Sequence, residues 1–339
     1  MAPELEASVI ATLGVAYGSA QRWHEARARI DEALLRIDDI VDVATRASVY
    51  QSAAYVALAD HDADAAERYA EIALSLSDEH GYDRIAILAH SVRYVVASSY
   101  RDEVDAAMRA IGSLEACAKR LGNALFRRYA LLGLIESHAE RGDRGELERA
   151  ERALAAEEIE NEVDHAEEAL IPSRAMRVAW GGDFGGAYGL LASSAERQMN
   201  ADQRASRWSE VAVYAAAAEL DEAALGAIGV ARSALRRITF PSGATVRARL
   251  NLAFASLLLG RLRSAAALLS TSERAAAPLP RLRKFHALLR AMLERRRGAH
   301  NHEEILRLLE AMDDAGFGGI ARTVEAVPDL RLETLERAS

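Results

Sequence analysis

Four stretches of the chain hold residue types from which chemistry is commonly built. Gly181-Gly182-Asp183-Phe184-Gly185-Gly186 is rich enough in glycine to suggest a phosphate cradle. Such a loop works when it follows a strand and opens a helix, so that backbone N–H groups converge on the phosphate. No strand-like run precedes it, and no Gly-Lys pair of the P-loop kind occurs in the chain. The stretch reads instead as a turn between two helices. His300-Asn301-His302-Glu303-Glu304 offers two imidazoles, but a zinc site needs more ligands and there is no cysteine to join them. A polar helix start explains it. Asp60-His61-Asp62-Ala63-Asp64 resembles the opening of a calcium loop but lacks the glycine and closing glutamate that such a loop requires. An N-cap followed by an aspartate in the first helical turn accounts for it. Cys117 is the single cysteine, so an intrachain disulfide is impossible and the residue reads as a small core side chain. Ser, His and Asp are plentiful, yet no Gly-x-Ser-x-Gly elbow or other catalytic spacing appears. The expectation is a binding protein with no catalytic set, no cofactor and no metal.

The elements that would position a binding face are helical hairpins. Leu13-Gly14-Val15-Ala16-Tyr17 is followed by Trp23, Ala26, Ile30, Ala33 and Leu34. Leu13 and Tyr17, four apart, share one helix face. Gly14 has no side chain, so a second helix can approach it closely, and small Ala26 fits that approach. One hairpin cannot bury both sides of its apolar surface, and that need drives repetition. The second-helix position recurs at Ala26, Ala66, Ala106, Leu147, Ala187, Ala227, Ala265 and Ile305, with gaps of 40, 40, 41, 40, 40, 38 and 40. The third could slip by one to Ala107. Turn cues recur at Gly142-Asp143, Gly182-Asp183-Phe184 and Gly260-Arg261-Leu262. In the second repeat the pattern predicts helices over Ala44–Ala59 and Ala63–Leu76. Pro172 should start or kink a helix, and Phe240-Pro241-Ser242-Gly243 should turn the chain. A short helix is expected over Ile320–Val327.

On Leu13, Gly14, Tyr17, Trp23, Ala26, Ile30, Ala33 and Leu34 the hairpin resembles the tetratricopeptide repeat. The period here exceeds that family's usual value of about 34, so the additional residues should lengthen helices or inter-repeat turns. The resemblance implies an all-α, right-handed superhelical solenoid of about eight hairpins over residues 1–315, with a short helix and tail over 316–339. It further implies that first helices line a concave groove. Carried over by register, the groove positions are Gln51 and Tyr55 in the second repeat, Ser91 in the third, and Tyr129 and Glu136 in the fourth. Met176 and Trp180 follow in the fifth, Arg247 in the seventh, and Arg290 and Glu294 in the eighth. For the aromatics and Met176, packing between repeats is an equal explanation; for the polar residues, plain solvent exposure is. The recurring Lys/Arg-Asn pattern of carboxylate-clamp repeats is absent, which argues against capture of a chaperone C-terminus.

A second resemblance lies near the end. Leu308-Leu309-Glu310-Ala311-Met312-Asp313-Asp314-Ala315-Gly316-Phe317-Gly318-Gly319-Ile320-Ala321-Arg322 is similar to the segment that closes the repeat region of MalT-like, large LuxR-type bacterial regulators. In those proteins the repeats act as a sensor and a helix-turn-helix follows. The tail from Pro328 to Ser339 is too short for one, so the chain reads as a stand-alone relative or as a sensor region.

Charge refines these readings. The 339 residues carry a net charge of −9, which favours solubility and weighs against direct nucleic-acid binding. Acidic residues concentrate between Glu136 and Glu168, and basic ones between Arg281 and Arg297. These are solvated helix faces or the two poles of a groove that steers a charged partner. The acidic start lacks the basic leader of a signal peptide, and no apolar run is long enough to span a membrane, so a cytoplasmic location is expected. The leading functional expectation is a non-catalytic scaffold holding a protein or peptide partner in the concave groove, in bacterial regulation. The alternatives are a sensor for a small-molecule inducer or signalling peptide, and an accessory subunit whose chemistry lies on another chain.

Overall fold

The computed structural model describes residues 3–20, 22–157, 163–196, 201–238 and 242–327. Within these residues the chain is all-α and contains no strand. The expected Phe240-Pro241 turn and the tail from Pro328 lie outside them. Contacts divide the chain into two compact units, residues 1–100 with 104–134, and residues 101–103 with 135–339. No helix of the described residues is long and apolar enough to cross a membrane.

The first unit contains α1 (Pro3–Ser19), α2 (Trp23–Leu34), α3 (Val43–Ala59), α4 (Ala63–His80), α5 (Asp83–Val95), α6 (Val104–Arg120) and the start of α7 (Ala124–Arg141). Each first helix packs on its own partner and on the next first helix, as α1 does on α2 and α3. That is the pattern expected of stacked hairpins. A Cβ placed on Gly14 would sit 3.0 Å from the Ile30 side chain and 3.2 Å from the Ala26 carbonyl oxygen. Glycine there lets α2 approach α1 closely; any larger residue would push Ile30 aside. Gly133 on α7 plays the same part, since its Cβ would press within 2.9 Å of Ile111.

The second unit continues with α8 (Arg144–Ala155), α9 (Val163–Trp180), α10 (Phe184–Ala195), α11 (Ala201–Ala217) and α12 (Asp221–Leu235). It closes with α13 (Gly243–Leu258), α14 (Leu262–Ala276), α15 (Pro280–Arg296), α16 (His302–Met312) and α17 (Gly318–Glu325). Pro172 lies inside α9 rather than at its start. One apolar core runs from Ala175 to Val327 and includes the edge-to-face pairs Phe254–Phe285 and Phe285–Phe317.

The second-helix series is visible in the burial. Ala26, Ala66, Leu147, Ala187 and Ala265 are fully buried and Ile305 nearly so, each one turn past its helix cap; in the sixth repeat that place belongs to the fully buried Ala224, and the expected Ala227 lies one turn further along α12. In the third repeat the deeply buried residue is Ala107, while Ala106 is only half-buried, so the register slips there by one. The turn between the two helices of a repeat places one residue in the left-handed region. It is His61, Asp102, Gly142, Gly182, Glu219, Gly260 and Gly298 in successive repeats. Aspartates then cap the second helices, with Asp62, Asp143 and Asp183 accepting from the backbone N–H of Ala65, Glu146 and Gly186. Asp60-His61-Asp62 and the six-residue Gly181–Gly186 stretch are thereby explained as hairpin turns. Among the described residues no cluster of three or more His, Cys, Asp or Glu side chains could hold a metal.

Candidate functional site

One face of the second unit gathers charged residues from helices far apart in sequence. Glu136 and Glu140 lie one turn apart on α7 and so share a face. On α11, Arg207, Glu210 and Tyr214 follow at i, i+3 and i+7 and form another stripe. Asn251 Nδ2 donates to Ser209 Oγ at 3.2 Å, which fixes α13 against α11. α13 supplies Arg247, and α15 supplies Arg281 at its first turn, just after Pro280.

Glu140 is the hub. It pairs with Arg247 through Oε1 and accepts from Arg281 Nη1 through Oε2 at 2.8 Å. Arg281 is 4% exposed. Its Nε donates to Asp102 Oδ1 at 2.7 Å and to the Asp102 carbonyl oxygen at 3.2 Å. The other Asp102 oxygen accepts from the backbone N–H of Leu282 at 2.8 Å. Asp102 thus caps α15 across 180 residues of sequence, with a backbone φ of 59°. That left-handed conformation suits the short polar side chains Asp and Asn. Both guanidiniums also sit over the Phe317 ring, Arg281 at 4.9 Å and Arg247 at 5.4 Å from its centre.

The electrostatics follow from burial and from these pairs. Burial alone would raise the Glu140 carboxyl, but the Arg247 and Arg281 guanidiniums outweigh it and hold the group down to about 2. Burial pushes the Asp102 carboxyl up in spite of Arg281. Glu136 is pushed up by its crowded surroundings and then by the neighbouring Glu140 charge, with Arg207 and Arg247 opposing. Burial also raises the Tyr214 phenol, and Glu210 adds to it. Glu136 is solvent-exposed although protein surrounds it closely. Its exposed carboxyl thus stands within the field of Glu140, Arg207, Arg247 and Glu210, a charged recess open to water. Arg207 and Glu210 pair at 3.5 Å beside it. The arrangement offers carboxylates and guanidiniums in a confined setting, which suits recognition of a polar, charged ligand.

The groove positions expected from the sequence fall into separate surroundings. In the first unit Tyr55 and Tyr129 are exposed, at 36% and 40%. Gln51 is half-buried, and Ser91 returns its hydroxyl to the Leu88 carbonyl of its own helix at 2.7 Å. In the second unit Glu136 and Arg247 meet at the charged recess. Met176 is buried, and Trp180 donates its Nε1 proton to the Gly319 carbonyl at 3.0 Å. Arg290 turns toward Glu273 on α14 at 3.3 Å with both side chains exposed, and Glu294 is exposed. Residues not singled out from the sequence are Asp102, Glu140, Arg207, Glu210, Tyr214 and Arg281. The signal for some was present: Glu140 stands one turn beyond Glu136, and the stripe on α11 has helical spacing. Nothing local marks Asp102 as a partner of α15.

Comparison with known proteins supports the fold. No protein-family model matches the chain, and no curated protein sequence does. The chain is similar in structure to the apo form of the quorum sensor NprR from B. thuringiensis, with a TM-score of 0.55 and 13% identity over 96% of this chain and 86% of that one. Ton1535 from Thermococcus onnurineus NA1 aligns at a TM-score of 0.31 and 11% identity over 95% and 80%, too weak a likeness to bear on the fold. The first likeness establishes a helical-repeat fold of the tetratricopeptide type.

Proposed function

We propose that the chain is a non-catalytic, peptide-binding regulator and that the charged recess of its second unit receives the peptide. The observation that carries this reading is the convergence of Glu136, Arg207, Glu210 and Arg247 from three first helices on one water-accessible recess. A short peptide offers charged side chains, charged termini and backbone amides together, and such a recess can pair with all three. The fold shared with a quorum sensor supports a signalling role. The resemblance of Leu308–Arg322 to MalT-like regulators supports a place in transcriptional control. Exposed Tyr55 and Tyr129 on the first unit fit a second contact region for a protein partner.

The test is a thermal-shift screen of the purified chain against peptide fractions of the host's culture medium, followed by titration calorimetry of any hit. A binding fraction should raise the midpoint, because a ligand that binds only the folded state stabilises it. Glu136→Gln should weaken that binding by roughly tenfold, the loss of one charge-assisted contact. Binding unchanged in both Glu136→Gln and Arg207→Gln would remove the recess from consideration. A shift produced only by a metabolite extract would favour the small-inducer reading instead.

A further inference from the structure

The face of the second unit that carries Arg247, Met176 and Trp180 already holds an occupant, the chain's own segment Asp313–Val327. After α16 the chain passes through a wide turn, Asp313–Phe317, in which Gly316 adopts a φ of 73°. Phe317 is then fully buried beneath the guanidiniums of Arg247 and Arg281. Gly318 and Gly319 lie backbone-to-backbone on the end of α7. A Cβ on Gly318 would collide with the Arg141 carbonyl oxygen, and one on Gly319 with the Ala139 carbonyl oxygen. On the α9 side, Trp180 Nε1 holds the Gly319 carbonyl, Met176 Sδ abuts Gly319, and Arg322 stands over the Trp180 ring at 5.9 Å. The fit also explains Gly142, whose Cβ would sit 2.7 Å from Arg322 Nε.

We propose that the segment from Asp313 to Val327 is a latch that competes with ligand for that face of the second unit. The inference rests on that face being the ligand site. Three of the expected groove residues, Met176, Trp180 and Arg247, are the residues on which the segment closes. A ligand that engages them must displace the segment or be helped by its position, so the two equilibria are linked. The segment is joined to α16 through one left-handed glycine, and its helix α17 spans eight residues. It meets α7 through glycine backbone and α9 through the indole hydrogen bond and Arg322, and it buries Phe317, Ile320, Ala321, Val324 and Val327 against the core.

Hydrogen–deuterium exchange of the full chain tests this without any ligand. Trp180→Phe keeps the ring and removes the bond to Gly319, so exchange over Asp313–Val327 should rise about fivefold. Gly319→Val should open the segment further, because its side chain has no room against Ala139. In both variants α11 to α14 should keep their native exchange. In a background with Trp23→Phe and Trp208→Phe, acrylamide should quench the remaining Trp180 about twofold more strongly once Gly319→Val is added. Exchange that rises equally through α9, α11 and α13 would make the segment an inseparable part of the core and overturn the latch. So would unchanged exchange in both variants. A segment that opens as described while no peptide fraction shifts the midpoint would retire the peptide reading alone. A peptide that binds Gly319→Val with wild-type affinity would retire the latch alone.

Discussion

Arg281 and Asp102 are each about one-twentieth exposed, and their charges are tolerated because they are paired, Asp102 with Arg281 and Arg281 with both Asp102 and Glu140. Asp102 also caps α15, and its left-handed backbone excludes most other side chains. Asp102→Ala leaves the buried guanidinium with Glu140 alone, leaves the Leu282 N–H without its carboxylate and puts a residue with no local polar partner into a left-handed turn. It should destabilise the second unit by about 3–5 kcal/mol in chemical denaturation. Asp102→Asn retains an acceptor and the backbone preference, and should lose clearly less; equal losses would mean that the charge alone matters. Glu140 yields a pH prediction. Its carboxyl is depressed from 4.5 to about 2, so it contributes stability that is complete above the unfolded value and is lost as pH falls toward about 2. Asp102 and Glu136 are shifted upward and act oppositely, their ionised forms being the disfavoured ones in the fold. The Glu140 part is isolated by comparing denaturation midpoints of wild type and Glu140→Gln between pH 6 and pH 3. Wild type should lose more on acidification, and parallel losses would refute the role assigned to Glu140.

At the scale of helices, what the sequence makes legible is what recurs locally. The second-helix alanines, the capping aspartates and the turn glycines each act within one hairpin, so their spacing carries the register. The helices expected at Ala44–Ala59 and Ala63–Leu76 are found at Val43–Ala59 and Ala63–His80. The second is extended to the left-handed Gly81, which ends it. The weak third repeat slips to Ala107 because its first helix runs into a wide turn that takes up an extra residue. Asp102 occupies the left-handed position there, and α5 runs on through the wide turn Val96–Tyr100. Pro172 is carried within α9, as a proline can be when neighbouring helices supply the packing its missing N–H forfeits. The charged recess was legible only in part. Glu136 and Arg247 follow from register, but Asp102, Glu140 and Arg281 meet across 141 to 179 residues. No periodicity encodes a contact made by a turn and a C-terminal segment returning to an earlier repeat. Likewise Met176 and Trp180 were expected to line a groove, and only the structure shows the segment after Gly316 lying on them.

Across the molecule, stability in stacked hairpins is a sum of hairpin and neighbour-interface contributions, so damage should stay near its source. Ala187 and Ala227 test this, since each is fully or almost fully buried on the second helix of adjacent repeats, Ala187 one turn past the cap Asp183 and Ala227 two turns past the cap Leu220. Tryptophan at either site forces two packed helices apart and should destabilise by roughly 1–3 kcal/mol. The effect on exchange should be centred differently. Ala187→Trp should loosen α9, α10 and α11, the helices packed against it or its partners, whereas Ala227→Trp should loosen α11, α12 and α13. Helices α3 and α4 belong to the first unit and should exchange as in wild type. The two variants together separate register from cooperativity. Unchanged thermal midpoints in both would mean that these alanines do not face the helix contacts assigned to them. Lowered midpoints with exchange raised evenly through α3 to α16 would mean that the chain opens as one cooperative body. Only lowered midpoints with two overlapping, locally centred patterns match a chain whose order is built hairpin by hairpin, and that locality is what would allow a C-terminal latch to move without unfolding the repeats beneath it.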